Sequence, residues 1–292
     1  MFLQQMISGI TIGSTYALVA IGYSMVFGVL GLVNFANGNI YMLGGFMTLV
    51  LFTALEGHFV TAFLLSLLLT AGLGYGLDCF GLRRLRAKNS PKMTGIILTL
   101  GVSMVIEDGV RIFFSSETLS FPNMINLGRF RIGNSVINWS QIIILVCALV
   151  LMAFTSLLVY KTRIGKAMLA VSQNTEAAFL MGIDVDRVIS FTFALSAVIA
   201  GIAGTLVGMY YETIDSTIGT TVGMKALASA VLGGVGILPG AMVGGILIGV
   251  LEALGASYIS SAYRNAIAFL VLIGIILVKP AGLFGKKQIE KV

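Results

Sequence analysis

The chain is 292 residues long, 58% of them hydrophobic and only 10% charged, with a mean hydropathy of +1.01. A soluble domain of this size has no use for so much apolar surface, so composition excludes a soluble globular protein and assigns the chain to a membrane. The net charge of +6 comes from the loops between apolar segments. It reports membrane topology, not a nucleic-acid partner.

Met1 to Leu55 contains no Lys, Arg, Asp, Glu or His, and the first charged residue is Glu56. A helix crossing a bilayer core needs about 20 apolar residues, so two spans fit here, Phe2 to Val33 and Ile40 to Leu55. The stretch lacks a basic start and is too long for one apolar run, so no cleavable signal peptide is expected. Further apolar segments run from Val60 to Asp78, Met93 to Phe114, Gln141 to Tyr160, Val188 to Tyr211, Ala226 to Leu251 and Ala262 to Val278. They are apolar on all sides and longer than the alternating strands of about ten residues that build a membrane barrel. The expected fold is therefore an all-α polytopic membrane protein of about eight helical segments, one transmembrane domain spanning residues 1–292.

Thirteen of the 18 basic residues fall in three connections. Arg83, Arg84, Arg86, Lys88 and Lys92 form the first, Lys161, Arg163, Lys166 and Arg187 the second, and Lys279, Lys286, Lys287 and Lys291 the tail. The positive-inside rule makes these cytoplasmic. Parity then places residues 115–140, with the interfacial Trp139, outside, together with Tyr211 to Met224 and the surroundings of Tyr263. The segment 226–251 must cross twice or enter and return, because Gly233, Gly234, Gly236, Pro239 and Gly240 break it into two arms too short to span. Parity puts the N-terminus outside if both early segments cross fully.

A similar interruption, Gly31 to Asn39, separates the first two apolar arms. Paired interruptions mark translocation paths in many transporters, since irregular backbone at membrane depth is tolerated where it is buried or lines water. Asn34, Asn37, Gly38, Gly233, Gly234, Gly236 and Pro239 are accordingly the candidate path residues; the competing role for the glycines is close helix packing. Glu107 and Arg111 are spaced as an interfacial i,i+4 pair. Asp78 and Glu252 stand at the ends of their segments, so the chain lacks the buried acidic series of an ion-driven carrier. No nucleophile–base pair, metal-ligand cluster or Gly-x-x-x-x-Gly-Lys-Ser/Thr loop is present, so neither an enzyme nor a resident metal is expected. Cys79 and Cys147 are expected to be small buried residues.

The loop 161–187 carries the remaining signal. Asn174 or Thr175 can cap a short helix, Glu176 then lies in its first turn, and Gly182 can end it in a left-handed conformation. Ala177 and Ala178 allow close approach, while Phe179, Leu180 and Met181 supply apolar anchors, a composition that suits docking into a groove of a cytoplasmic partner. A helix lying flat on the membrane is the alternative.

Glu176-Ala177-Ala178-x-x-x-Gly182 resembles the cytoplasmic signature of ABC importer permeases, in which this segment forms the coupling helix that sits on the ATPase. The following Gly182-Ile183-Asp184-Val185-Asp186-Arg187-Val188 is similar to the branched-chain amino acid (leucine/isoleucine/valine) branch, H-type. So are Gly13-Ser14-Thr15-Tyr16-Ala17-Leu18, Asn34-Phe35-Ala36, Ala230-Val231-Leu232-Gly233-Gly234 and the tail Pro280 to Gly285. Asn37 and Asn39 replace a histidine and a glutamate of the family pattern. The resemblance implies a permease subunit in a bacterial inner membrane, without catalytic residues, and ATPase coupling through Asn174, Glu176, Ala177, Ala178, Phe179, Leu180 and Gly182. It implies as partners a second related permease, two cytoplasmic ABC ATPases, an external solute-binding protein and membrane lipid. ATP and Mg would reside on the ATPases, leaving this chain without a cofactor. A related urea or short-amide importer and an ion-coupled secondary carrier are the alternatives.

Overall fold

The computed structural model describes residues 2–114, 117–122, 129–132, 135–279 and 281–285. Lys286, Lys287, Lys291 and Pro280 of the tail, and part of the 115–140 connection, lie outside the described residues. Among the described residues six helices are long and apolar enough to cross a membrane, with the shorter Ile218–Gly233 beside them. The chain is an all-α polytopic membrane protein.

Helix α1 (Phe2–Leu30) is buried almost continuously from Gly9 onward and forms the axis of the molecule. It ends at Gly31, whose φ is +64°. Five residues later α2 (Ala36–Ala54) begins. Helix α3 (Phe59–Gly76) continues through a π-helical turn at Leu77–Leu82 into α4 (Arg83–Ala87), so the third segment is longer than its apolar stretch. Then follow α5 (Lys92–Phe114) and α6 (Trp139–Lys161), separated by short strands. Of these, β1 (Leu119–Ser120) pairs with β4 (Thr213–Ile214), and β2 (Arg129–Ile132) with β3 (Ser135–Asn138). The 161–187 loop folds as α7 (Arg163–Gln173) and α8 (Thr175–Leu180), and α9 (Val185–Tyr211) returns through the bundle. Helices α10 (Ile218–Gly233), α11 (Leu238–Tyr258) and α12 (Arg264–Val278) complete it.

The small-residue stripes explain how α1 can be so enclosed. Gly9, Gly13 and Ala17 recur every fourth residue and face Gly245, Gly249 and Ala253 of antiparallel α11. A Cβ on Gly13 would lie 2.8 Å from the Ile246 Cα. The two backbones are therefore in contact, the geometry by which membrane helices gain dispersion energy without a hydrophobic effect. Buried hydroxyls add specific bonds: Thr48 on α2 lies 2.8 Å from Ser66 on α3 and 2.9 Å from Thr205 on α9.

Several expectations are corrected. The segment 226–251 is broken at 234–237 as expected, but its two arms are longer than expected: α10 begins at Ile218 and α11 runs on to Tyr258. The second arm, 21 residues long, reaches about 32 Å, enough to cross; the first, with 16 residues, reaches about 24 Å. Only residues 212–217 are left between α9 and α10, because Ile218 to Met224 joins the helix despite its threonines and glycines. Asn37, Gly38 and Asn39 are not in a break either. The Asn34 Oδ1 accepts the Ala36 N–H at 3.2 Å and starts the helix early, which places all three in its first turn. Cys79 is half-buried and Cys147 exposed on the apolar outer face of α6; small size did not dictate burial in a chain whose surroundings are themselves apolar.

The tail folds back on α10. Leu283 and Phe284 donate their N–H groups to the carbonyls of Leu232 and Gly233 at 2.8 and 3.1 Å, serving acceptors that a helix end leaves unpaired. Two motifs separated by some fifty residues of sequence are thus one structural joint. With the basic connections cytoplasmic, the start of α1 and the α11–α12 turn stand at the opposite face. In a chain lacking Cys79 and Cys147, single cysteines at Asn89 and Asn174 should resist an impermeant thiol reagent in intact cells, and one at Ile259 should react. Reaction at 174 from outside would invert the assignment.

Candidate functional site

The 161–187 loop builds a platform of two capped helices. Thr162 caps α7 by accepting from the Gly165 N–H at 3.1 Å, and Asn174 caps α8 by accepting from Ala177 at 3.0 Å. Glu176 occupies the first turn, where a carboxylate suits the positive end of the helix. The helix closes with two bonds, Gly182 N–H to the Phe179 carbonyl (2.9 Å) and Ile183 N–H to the Ala178 carbonyl (3.1 Å). This is a Schellman closure, and it needs the φ of +82° at Gly182. Ala178 is buried against the bundle, while Phe179, Leu180 and Met181 are 69, 83 and 82% exposed. Three adjacent large apolar side chains held out from a capped helix form an interaction surface. Beside them opens a groove of about 1320 Å³, bordered by Glu176, Phe179, Gly182 and the arginines 83 and 86.

The exit from this platform is tied to the membrane helices by charge. The Arg86 guanidinium lies between two carboxylates, Nη1 2.6 Å from Asp78 Oδ1 and Nη2 3.0 Å from Asp186 Oδ1. Asp78 is fully buried and also accepts from Ser190 of α9 at 2.6 Å. Arg83 adds a more exposed pair to Asp186 at 3.2 Å. Asp78, at the end of its apolar segment, is therefore the centre of a joint between α4, the π-helical turn and the start of α9. Its polarity beside a basic loop is the only sequence signal for that role.

The candidate path residues separate into two places. Asn34 and Asn37 are buried at the start of α2, where Asn37 Nδ2 donates to the Val19 carbonyl (3.4 Å) and Oδ1 accepts from Ser196 (3.0 Å). Phe35 N–H donates to Thr99, and Ser103 donates to the Phe35 carbonyl, so this turn lies alongside the middle of α5. A Cβ on Gly38 would meet the Gly219 carbonyl at 2.6 Å and the Gly223 Cα at 2.8 Å. A leucine there would push α2 off α10, so it would test packing before it tested flux. Gly233, Gly234 and Gly236 join α10 to α11, with Pro239 exposed in the first turn of α11. Gly233 is ten residues beyond Gly223 on the same helix, about 15 Å. Gly236 instead approaches Gly28 near the end of α1 and shares a cavity of about 410 Å³ with Lys92, Gln173 and Thr175. Gly31, at the start of the first break, borders that same cavity, while Asn34, Asn37 and Gly38 lie toward the middle of the bundle, away from Gly233, Gly234 and Gly236.

One charged cluster escaped sequence reasoning. Glu252, 1% exposed within α11, lies 2.9 Å from Lys225 Nζ of α10 (4% exposed) and 2.6 Å from Arg264 Nε of α12. Tyr16 of α1 donates to Glu252 at 3.3 Å. Glu252 therefore does not end its segment; it sits in a four-helix joint that is closer to the outer face. The i,i+4-paired Glu107 and Arg111, by contrast, meet as expected at 2.6 Å.

Comparison with known proteins fits this architecture. Residues 5–277 match the family described as branched-chain amino acid transport system / permease component. The high-affinity branched-chain amino acid transport system permease protein LivH of Escherichia coli K12 is 37% identical over 305 aligned residues, covering 100% of this chain and 98% of LivH. BraD of Pseudomonas aeruginosa, a permease protein of the same description, is 36% identical with the same coverage. A probable LivH of Methanocaldococcus jannaschii is 28% identical over 92% of this chain and 88% of its own length. No solved structure matches. The chain belongs to the permease family of branched-chain amino acid transport systems, as a multi-pass transport component of the cytoplasmic membrane.

Proposed function

We propose that this chain is the transmembrane subunit of an ATP-driven importer of branched-chain amino acids, pairing with a second related permease. It receives solute from an external binding protein and docks cytoplasmic ATPases through the α7–α8 platform. ATP and Mg belong to those ATPases, and this chain supplies no ATP chemistry. The observation that carries the reading is α8 itself: a capped helix presenting Phe179, Leu180 and Met181 to the cytoplasm, joined through Asp186, Arg86 and Asp78 to helices inside the bundle. A displacement of α8 by a partner would thereby reach α4 and α9 together, which is how a remote nucleotide event can bias a two-state pathway. Ion coupling has less support, because the buried carboxylate of Glu252 is already held by two cations.

Gly182→Val tests the docking role. A Cβ at 182 meets nothing within 4 Å, so the substitution acts only through the backbone φ. A β-branched residue in that region costs about 1–3 kcal/mol and should unwind the closure of α8. Uptake is expected to fall at least about tenfold while insertion in the membrane persists, and Glu176→Lys should act in the same direction by opposing the helix dipole. Uptake and ATPase co-purification at parental levels in both variants would remove α8 from the coupling role.

A further inference from the structure

The first turn of α2 borders a cavity of about 300 Å³ between α1, α2, α5 and α10. Three features of this space point to a ligand. Asn39 is 2% exposed and lines it, and its Nδ2 is committed to the Ser103 carbonyl (2.7 Å), Ser103 Oγ (2.9 Å) and Glu107 Oε2 (3.4 Å). These bonds fix the amide, and its Oδ1 is buried without a hydrogen-bond partner. That oxygen lies against Gly219, which also lines the cavity, so it is closed off behind that wall and meets an occupant when α10 moves off α2. A buried acceptor left unpaired costs about 1–3 kcal/mol, and a donor-bearing ligand would recover it. Phe35, Leu100 and Met224 give the same space apolar walls. Finally, Phe35 and Gly38 place the start of a 19-residue helix at its edge, and the dipole there favours negative charge.

We infer that this cavity is a waypoint for a zwitterionic amino acid with an aliphatic side chain, in which Asn39 Oδ1 accepts from the ammonium group. The argument rests on the transport reading above and names where, and through which atom, the solute is read. An amino acid with an aliphatic side chain has, at neutral pH, donors only on its ammonium group, so an unpaired acceptor selects that end. The carboxylate then falls toward the first turn of α2, and the side chain against Phe35, Leu100 and Met224. The Glu107 carboxylate, 3.4 Å from the Asn39 amide and bonded to Thr220 at 2.6 Å, makes the surroundings of the ammonium negative. Its charge is shared with Arg111 at 2.6 Å, so it adds field without forming a free anion that would trap the cation. One neutral acceptor plus dispersion contacts gives binding weak enough for release, as a conducting path requires.

The test uses the complete complex in proteoliposomes: this chain, its partner permease, the ATPases and a leucine-loaded binding protein. In Asn39→Ala the ratio of leucine moved to ATP hydrolysed should fall about tenfold, the value of one lost hydrogen bond to a charged group. Met224→Trp, which fills the cavity and leaves the Asn39 bonds in place, should lower the same ratio. A diazirine analogue of leucine photolysed during turnover should label Leu100 or Met224, and the label should weaken in Asn39→Ala. Uptake and ATP hydrolysis falling together in Asn39→Ala, at the parental ratio, would mean a structural role and overturn the site. Labelling confined to other helices would overturn it too. A parental complex that moves no branched-chain amino acid, while a binding protein loaded with another solute stimulates it, would instead overturn the transport reading beneath.

Discussion

Glu252→Met should lower the stability of the purified permease by about 3–5 kcal/mol, the range for removing one partner of a buried ion pair. Among the described residues the carboxylate is the only negative charge in its joint, and Lys225, 4% exposed, stands 2.9 Å away. Without Glu252, Lys225 and Arg264 are left as neighbouring cations in a low-dielectric interior. Arg264 is about one-third exposed and can turn to the outer face, but Lys225 has no such route. Lys225→Met should cost less, because Glu252 keeps Arg264 at 2.6 Å and Tyr16 at 3.3 Å. The double variant Lys225→Met/Glu252→Met should recover most of the loss, since two side chains of similar volume then replace the pair and the one cation left, Arg264, can turn to the outer face. Thermal unfolding of the four proteins gives the coupling energy directly. A double variant as unstable as Glu252→Met alone would show that packing, not charge pairing, holds α10, α11 and α12 together.

The contrast between that cluster and the α8 platform explains what the sequence made legible. Caps are local: Asn174, Glu176 and Gly182 act within one turn, so their spacing alone specifies the helix they build. The segment count was nearly legible for a related reason, because a bilayer imposes a minimum apolar length on each span. Burial of Glu252 is non-local. It depends on α10, α11 and α12 meeting at a level that no run of residues announces, and Lys225 lies 27 residues away from its partner. The early start of α2 was hidden differently. Asn37, Gly38 and Asn39 are turn-forming residues, but the Asn34 side-chain turn onto the Ala36 N–H and the close approach of Gly219 and Gly223 make a helix start there the arrangement that satisfies the buried backbone. Glycine pairs likewise looked the same in sequence whether they form the α1–α11 contact or a turn. Only the facing partner tells them apart.

Arg86→Ala is the second large expectation, and its value lies in the comparison with Arg86→Lys. Alanine leaves Asp78, fully buried, with Ser190 as its remaining described partner, and should cost about 3–5 kcal/mol. Arg83→Ala is the control: it removes a pair whose members are 49 and 40% exposed, worth about 0–1 kcal/mol. Lysine at 86 keeps a positive charge that can neutralise Asp78, so stability should be intermediate. What lysine lacks is the planar fork by which Arg86 reaches Asp78 with Nη1 and Asp186 with Nη2 at once. If that bridge carries motion from α8 and the start of α9 into α4, Arg86→Lys should lose transport nearly as fully as Arg86→Ala despite its better stability. ATP hydrolysis should then outrun solute movement. Transport at the parental rate in Arg86→Lys would mean that Asp78 needs only a counter-charge. The path from the cytoplasmic platform into the membrane would then have to run through the helix backbone of α9 alone.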